Sequence, residues 1–231
     1  MRALGRWLKW ALLGLLGLFL VWQLWLLGWV LFWGWANPGT TRFMDIRLAE
    51  LRVNKPDAVL KKEWVPYERI SIHLKRAIIA AEDAKFVDHE GFDWEGIQKA
   101  MEKNQKKGRF VAGGSTISQQ LAKNLFLTPS KSYFRKAEEA IITLMLENLW
   151  SKRRIFEVYL NVIEWGNGVF GAEAAARHYF NVGAAQLGPE QAARLAGMVP
   201  NPRYYDKNRG ASGLGRKTGI ILARMPSAEV P

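Results

Sequence analysis

The sequence contains no cysteine among its 231 residues, and its three histidines lie far apart. Without cysteine there are no disulfides and no thiolate metal sites, and redox chemistry says nothing about the cellular compartment. The scattered histidines also argue against a histidine-rich metal site. Nowhere does the alternating pattern of a half-buried strand persist, and no internal repeat is present. These absences favour a mainly helical chain.

Acidic residues are outnumbered, because 33 Lys and Arg stand against 21 Asp and Glu, which gives a formal net charge of +12. A surplus of this size favours an anionic partner: a nucleic acid, an acidic lipid headgroup or a phosphorylated substrate. Behind an N-terminal apolar segment, about 190 residues remain. That is enough for one domain with a buried core, and too few for a second catalytic module.

Residues 10–36 form an apolar run that only Gln23 interrupts. As a helix, these 27 residues would be about 40 Å long, which exceeds the roughly 30 Å of a bilayer core. The alternative is a cleaved signal peptide, but Trp33-Gly-Trp-Ala-Asn-Pro38 is a poor cleavage site. Basic residues flank both ends, so charge alone leaves the orientation open. We predict an N-terminal segment over 1–9, an uncleaved transmembrane anchor over 10–36, an irregular or strand-like linker over 37–66, and one domain over 67–231.

Beyond the linker, the sequence predicts helices almost throughout. The predicted N-caps are Ser71, Asp93, Ser115 or Thr116, Ser132 and Ser151, and Pro189 fits the first turn of a later helix. For the helix after Ser132, the apolar spacing predicts an inward face of Phe134, Ala137, Ile141, Leu144 and Met145. The predicted fold class is all-α, or mainly α with a trace of β.

A pair of carboxylates stands where an apolar helix ends, in the run Glu82-Asp-Ala-Lys-Phe-Val-Asp-His-Glu-Gly91. The preceding Ala77-Ile-Ile-Ala-Ala81 should dry the surroundings of Glu82, and loss of water raises the pKa of a carboxyl group. Such a group suits acid–base chemistry, although most glutamates at helix ends are simply solvated. His89 is better explained as a structural residue bonded to a backbone or carboxylate group.

Two further stretches bring polar and basic side chains. Gly113-Gly-Ser-Thr-Ile-Ser-Gln-Gln120 is a glycine turn that opens a helix, where backbone N–H groups and the helix dipole favour an anion. Alone this signal is weak, since such turns are often merely flexible. Arg135-Lys-Ala-Glu-Glu139 adds cations that suit phosphate oxygens, with a solvated helix start as the alternative. Together these residues indicate chemistry at a sugar that bears a phosphate leaving group.

Five blocks in this order resemble the glycosyltransferase domain that polymerises bacterial peptidoglycan. They span residues 82–91, 113–124, 135–139, 152–161 and 193–202, within a similarity that covers residues 60–205. Ser118 stands where the family usually has Thr, and Phe156 where it often has Leu, and both changes are conservative. No transpeptidase domain follows the last block, so the resemblance is to the monofunctional members of the family.

The resemblance implies a lysozyme-like, mainly helical glycosyltransferase domain with a small membrane-facing jaw, preceded by one transmembrane helix. It implies polymerisation of lipid II into linear glycan strands by inverting β-1,4 transfer, with release of undecaprenyl pyrophosphate. Glu82 would be the general base and Glu139 a second catalytic residue supporting the pyrophosphate site. The implied substrate-binding residues are Gly114, Ser115, Thr116, Gln119, Gln120, Lys123, Asn124, Arg135, Lys136 and Asn161.

The same resemblance implies a divalent cation, Mg²⁺ or Mn²⁺, near the pyrophosphate as an optional cofactor. The implied partners are lipid II, the growing glycan chain, the cytoplasmic membrane and other cell-wall synthesis or division proteins, but no nucleic acid. The N-terminus would lie in the cytoplasm, and the catalytic domain on the periplasmic side of a bacterial inner membrane. The predicted membrane-docking face consists of Trp94, Ile97, Met101, Phe110 and Val111, among basic residues within 99–109.

Two other hypotheses remain open. A membrane-anchored lysozyme or lytic transglycosylase would also use a Glu at a helix end, but an enzyme that cleaves finished glycan does not need the phosphate-binding elements of residues 113–136. A basic, anchored binding protein would explain the charge but not the carboxylates, and no zinc knuckle or aromatic stacking platform appears. The products formed from labelled lipid II distinguish these hypotheses.

Overall fold

The computed structural model describes residues 2–109, 113–130 and 132–231. Within these residues the chain forms mostly helices, and the predicted class of mainly α with a trace of β is confirmed. The helices are α1 (Arg2–Trp35), α2 (Arg42–Asn54), α3 (Ile72–Glu82), α4 (Trp94–Lys107), α5 (Ile117–Phe126), α6 (Tyr133–Leu149), α7 (Lys152–Val162), α8 (Ala172–Phe180), α9 (Pro189–Met198), α10 (Pro202–Lys207) and α11 (Ser212–Arg224). The strands are β1 (Lys61–Lys62), β2 (Glu164–Gly166) and β3 (Val169–Phe170).

The chain divides into two compact units, of which the first ends at Asn37. This unit contains α1, whose stretch Lys9–Trp35 is long and apolar enough to cross a membrane. Tryptophan rings pack along the helix: Trp22 stacks on Trp25 with ring centroids 4.9 Å apart. By length and composition, the helix is compatible with the predicted single-pass anchor.

The second unit begins at Pro38 and contains a helix that the sequence pattern does not predict. Residues 37–66 were expected to be irregular or strand-like, whereas α2 forms 13 residues of regular helix within them. Thr41 caps α2 by accepting a hydrogen bond from the Met44 N–H at 3.2 Å, and Phe43 and Met44 are buried. α2 packs against α5. The apolar residues of α2 do not recur with a clear helical period, so the sequence pattern gives little indication of this helix. Contacts with the rest of the unit stabilise it instead.

The core of the second unit surrounds α3, which carries Glu82 as its last residue. Ser71 caps this helix as predicted, since its hydroxyl accepts a hydrogen bond from the His73 N–H at 3.2 Å. Leu74, Ala77 and Ile78 are fully buried. α3 packs against α9 and α11, and α5 packs against α6 and α7. These contacts fix the end of α3 on a rigid scaffold.

The buried face of α6 differs from the predicted one. Phe134 is 90% exposed and Leu144 is 50% exposed, although the apolar spacing places both inward. The buried residues are Glu139, Ile142, Thr143 and Leu146. Two of these are polar, so a search for apolar periodicity excludes them. Their burial is possible because their polar groups are bonded: the Thr143 hydroxyl, for example, donates to the Glu139 carbonyl at 2.7 Å.

The three strands form one small sheet in the order β1-β3-β2. β1 runs parallel to β3, and β2 runs antiparallel to it, with Glu164 paired to Phe170. A register shift between Glu164 and Gly166 interrupts the β2–β3 ladder. Such irregularities bend a strand and redirect its side chains, and they are frequent beside active sites.

Part of the predicted membrane-docking face, Phe110 and Val111, lies outside the described residues. The other three members, Trp94, Ile97 and Met101, lie on α4, which Asp93 caps as predicted, and Ile97 is partly buried. Trp94 is 72% exposed and Met101 is 66% exposed. This exposure is compatible with membrane docking, which stays a prediction.

Candidate active site

Glu82 borders two cavities of the second unit. A cavity of about 360 Å³ extends from the end of α3 to the glycine turn at residues 113–116. A smaller one, of about 170 Å³, is lined by α3, α9 and α11. Glu82 as a whole residue is half-buried, but its carboxylate is enclosed, and this burial raises its pKa. The raised pKa agrees with the drying expected from the apolar run before Glu82, and it would strengthen the carboxylate as a base.

A chain of hydrogen bonds orients the Glu82 carboxylate. Gln120 donates from Nε2 to Glu82 Oε2 at 2.9 Å, and the Tyr159 hydroxyl donates to Gln120 Oε1 at 2.9 Å. Complete burial raises the pKa of Tyr159 well above its ordinary value, so the phenol keeps its proton and fixes the orientation of the Gln120 amide. Against the effect of burial, the hydrogen bond from Gln120 and the charges of Lys217 and Lys123 lower the pKa of Glu82.

Asp83, the next residue, holds the start of α5 instead of joining Glu82. Its Oδ2 accepts a hydrogen bond from the Ile117 N–H at 2.9 Å, and its Oδ1 accepts one from His89 Nε2 at 3.0 Å. His89 Nδ1 in turn accepts from the Gly91 N–H at 3.1 Å, which assigns the proton of the neutral ring to Nε2. His89 is structural, as predicted.

The glycine turn is held closely by its neighbours. Gly114 contacts α4, and a Cβ at this position would lie 3.0 Å from Ile97 Cα, so glycine permits the approach. Thr116 and Gln119 form a capping box: the Gln119 N–H donates to Thr116 Oγ1 at 3.2 Å, and the Thr116 N–H donates to Gln119 Oε1 at 3.1 Å. Both side chains thus stabilise α5, and their contact with substrate stays a prediction.

Glu139, on α6, is buried with a cation at each carboxylate oxygen. Arg135 donates to Oε2 at 2.5 Å, and Lys136 donates to Oε1. Lys136 also donates to the Ser115 hydroxyl at 3.2 Å, which ties this ion-pair cluster to the glycine turn. Glu139 is therefore arranged as a counterion that positions two cations. Its predicted support of a pyrophosphate site fits this geometry and stays a prediction.

The side chain of Lys123, on α5, makes no hydrogen bond or ion pair within the described part of the chain. Burial lowers its pKa; the charge of Glu139 opposes that change, whereas Arg135 and Lys136 add to it. Glu82 also affects this pKa, so Lys123 lies within electrostatic reach of both carboxylates. A partly desolvated cation near two other cations is unfavourable, and an anionic ligand would reduce the repulsion among the three.

Asn161 does not join this group. Its Nδ2 donates to the carbonyls of Val65 at 3.0 Å and Glu157 at 2.9 Å, and its Oδ1 accepts from the Val65 N–H at 2.9 Å. Because these bonds occupy its amide, the predicted role in substrate binding has no support in this geometry. Asn124, by contrast, is buried beside the cluster and donates to the Gln120 carbonyl at 2.7 Å.

Residues 50–226 match the family model described as Transglycosylase. The chain is 88% identical to the biosynthetic peptidoglycan transglycosylase of Dechloromonas aromatica (strain RCB), with 100% of both chains covered. Relatives of the same description from Azoarcus sp. (strain BH72) and Thiobacillus denitrificans (strain ATCC 25259 / T1) are 63% and 56% identical, again over 100% of both chains. The chain belongs to the transglycosylase family.

In this transglycosylase the family match includes α11, to which the sequence pattern assigned no role. Lys217 and Arg224 stand seven residues apart, which places them on one face of that helix. Lys217 lines the smaller cavity beside Glu82, and Arg224 lines both. The sequence carries no specific signal for this role, because a shared helix face does not distinguish residues that line a cavity from solvated ones.

The described residues provide no metal site by themselves, because no three of their His, Asp or Glu side chains are grouped so that they could hold a divalent cation. Glu139 fits such a cation poorly, since Arg135 and Lys136 occupy its two oxygens. A divalent ion held by the oxygens of a pyrophosphate stays a prediction.

Proposed function

We propose that this transglycosylase polymerises lipid II, a disaccharide-peptide on a lipid pyrophosphate, into linear glycan strands in cell-wall synthesis, without transpeptidase activity. The observation that carries this proposal is the enclosed Glu82 carboxylate, whose pKa burial raises and which borders the cavity at the glycine turn. Membership of the family supports the class of polymer. The contacts around Glu82 and Glu139 support separate roles for the two carboxylates.

Glu82 acts as the general base. It takes the proton of the 4-hydroxyl on the acceptor sugar, and that oxygen attacks the anomeric carbon of the donor sugar. The bond from this carbon to the pyrophosphate oxygen breaks, so a β-1,4 bond forms with inversion and the bonding electrons leave with the pyrophosphate. Gln120 keeps one Glu82 oxygen hydrogen-bonded, which leaves the other to receive the proton.

The cations stabilise the departing undecaprenyl pyrophosphate. Arg135 and Lys136 are held in place by Glu139, so they need little reorganisation when negative charge develops on the leaving group. Lys123 has no counterion of its own in the described chain and offers its full charge to the phosphate oxygens. The substrate anion would thereby remove the repulsion among these three cations.

The membrane carries the lipid substrate, and α1 would keep the enzyme beside it. We place residues 1–9 in the cytoplasm, residues 10–36 in the inner membrane, and the linker and catalytic domain in the periplasm, where lipid II is displayed. The absence of cysteine allows a direct test with the single variant Val53→Cys, at a position that is 82% exposed. A membrane-impermeant maleimide should label it in intact spheroplasts. If labelling occurs only after lysis, the orientation is the opposite of the one proposed.

Incubation of the purified full chain with labelled lipid II tests the activity. We expect a ladder of glycan strands that muramidase digests, with Glu82→Gln as the matched inactive control. A parallel reaction with chelator measures any need for a divalent cation. Release of soluble fragments from finished cell wall, without polymer from lipid II, would instead identify a lytic enzyme.

A further inference from the structure

A buried carboxylate behind the site takes no part in the proposed chemistry. Glu147 lies on α6, and its side chain is only 5% exposed. Its Oε1 accepts hydrogen bonds from the Lys152 ammonium group at 2.9 Å and from the Ser118 hydroxyl. Lys152 begins α7, and Ser118 lies in the first turn of α5. Glu147 thus joins three helices, and it lies outside the five sequence blocks, whereas both of its partners lie within them.

Lys152 extends this cluster to the loop that follows α3. Its Nζ also donates to the His89 carbonyl and lies 4.7 Å from the centre of the Phe86 ring. Gly91, in the same loop, has a φ of +89°, and a Cβ there would lie 3.0 Å from Glu147 Cγ. The loop therefore packs directly against the ion pair. Because both charges are largely withdrawn from water, removal of either one would leave the other without its counterion.

These contacts close a ring of hydrogen bonds between the end of α3 and the start of α5. In the other half of the ring, the His89 imidazole donates to Asp83, and Asp83 accepts from the Ile117 N–H. Ile117 and Ser118 are consecutive residues, so the ring returns to Glu147 through α5. In such a network each bond restrains the others. Neither the end of α3 nor the start of α5 can therefore shift alone.

The two elements that the ring joins carry the base and its amide partner. Glu82 is the last residue of α3, and Gln120 lies two residues beyond Ser118 on α5. Their hydrogen bond is 2.9 Å long, so a small shift between the helices would weaken it. We propose that Glu147 is a positioning residue that, through this ring, keeps Gln120 hydrogen-bonded to Glu82. Its consequence for catalysis rests on the proposed function, because it concerns the same site.

The pKa of Glu82 reports on this arrangement, because the hydrogen bond from Gln120 lowers it. If Gln120 is displaced, that effect is lost and the pKa rises further above the ordinary Glu value. Lys123, on the same helix, acts in the same direction as Gln120, so a shift of α5 away from α3 adds to the rise. The other titratable or charged groups that face Glu82 lie outside α5; they are Asp83, Asp93, Tyr159, Lys217 and Arg224.

Kinetics of the full chain with lipid II test the catalytic consequence. Glu147→Gln keeps the shape of the side chain and removes its charge. Glu173→Gln is the matched control, because Glu173 is also buried and binds Arg177 and the Ala184 N–H, each at 2.7 Å, outside the ring. We expect Glu147→Gln to lower kcat about tenfold and to change KM less than about twofold, since the base is misplaced but substrate contacts remain. Glu173→Gln should lower the melting temperature and leave both constants unchanged. An unchanged kcat in Glu147→Gln, or an equal loss in both variants, overturns the proposal.

A titration without substrate separates this proposal from the proposed function. The probe is the NMR chemical shift of the Glu82 carboxyl carbon in the full chain, assigned by its absence from Glu82→Gln. Its midpoint should move to higher pH in Glu147→Gln and stay in place in Glu173→Gln. That result supports the positioning role even if the wild type makes no polymer and the proposed function fails. A midpoint that stays in place in Glu147→Gln, or moves equally in both variants, overturns the role even if polymer is made.

Ser118→Ala keeps the test decisive if Glu147→Gln does not fold. This variant opens the ring without removing a charge, and it leaves Glu147 paired with Lys152. The Glu82 midpoint should again move to higher pH, and kcat should fall by about threefold. If Ser118→Ala folds and both quantities match those of the wild type, the ring does not position the base and the proposal is overturned.

Discussion

Glu82 and Glu139 are two enclosed glutamates within reach of the same lysine, yet their partners differ. Glu82 accepts a hydrogen bond from a neutral amide, and burial raises its pKa. Glu139 has a cation at each oxygen. A base needs an oxygen that is free to take a proton, whereas a counterion needs both oxygens bound. The residue type identifies candidates in a sequence, but the partners in the fold assign their roles.

The largest effect should follow from removing the base. Glu82→Gln keeps the shape of the side chain but loses its basicity, so the rate of polymerisation from lipid II should fall by about 10²-fold or more. The melting temperature should stay close to that of the wild type or rise, because a desolvated carboxylate has been removed. Near-normal rates would exclude Glu82 as the base, and the different partners of Glu82 and Glu139 would then not reflect different catalytic roles.

Glu139→Gln should have a smaller and different effect. Loss of the counterion frees Arg135 and Lys136, so we expect a fall in kcat/KM of about tenfold, mainly through KM. Stability should also fall, because breaking a buried ion pair costs about 3–5 kcal/mol. The loss should be below that range here, since Lys136 is solvent-exposed. A rate loss equal to that of Glu82→Gln with unchanged KM would make Glu139 a second acid–base residue.

Local interactions account for what the sequence predicted correctly. Ser71, Asp93, Ser132 and Ser151 cap the helices that follow them, as predicted. Each cap bonds an N–H two or three residues further along the chain, so the pattern is contained in a short segment. The apolar run before Glu82 likewise predicted its drying from neighbouring residues alone.

The features that the sequence did not predict involve buried polar groups, which an apolar pattern does not reveal, whether their partners lie one helical turn away or far along the chain. Glu139 belongs to the buried face of α6 because Arg135 and Lys136 neutralise it, and an apolar pattern cannot include a charged residue. Arg47 and Glu164 are 117 residues apart in the chain, and their pairing exists only once α2 packs against the domain. Asn161 was assigned to the site by resemblance, whereas its amide holds the chain at Val65.

Substitutions of Lys123 and Arg135 should affect substrate binding alike but protein stability differently. Lys123→Ala and Arg135→Ala should each raise KM for lipid II about tenfold, because each removes a charge from the proposed pyrophosphate site. Lys123→Ala should keep or raise the melting temperature, since this lysine has no counterion in the described residues. Arg135→Ala should lower it, because one buried Glu139 oxygen loses its partner at a cost of about 1–3 kcal/mol.

Lys207→Ala controls for loss of net charge, since Lys207 is exposed at the end of α10 and lies outside the predicted membrane-docking face. Its KM and melting temperature should match those of the wild type. If all three variants raise KM equally, the effect reflects the total charge of the protein and not the positions of Lys123 and Arg135. The difference between the surroundings of Glu82 and Glu139 would then not explain substrate binding.

The smallest expected effect is that of Lys217, on α11, on the pH dependence of kcat/KM. Glu82 must be ionised to accept a proton, so kcat/KM should rise with pH through its pKa. Burial raises the pKa of Glu82 above the ordinary Glu value of 4.5, and the charge of Lys217 acts in the opposite direction. Lys217→Met removes this charge, so the rise should move to higher pH with the same plateau. Arg216→Met, the exposed neighbour, should leave the profile unchanged. A Lys217→Met profile that stays in place or moves to lower pH would show that another group controls it.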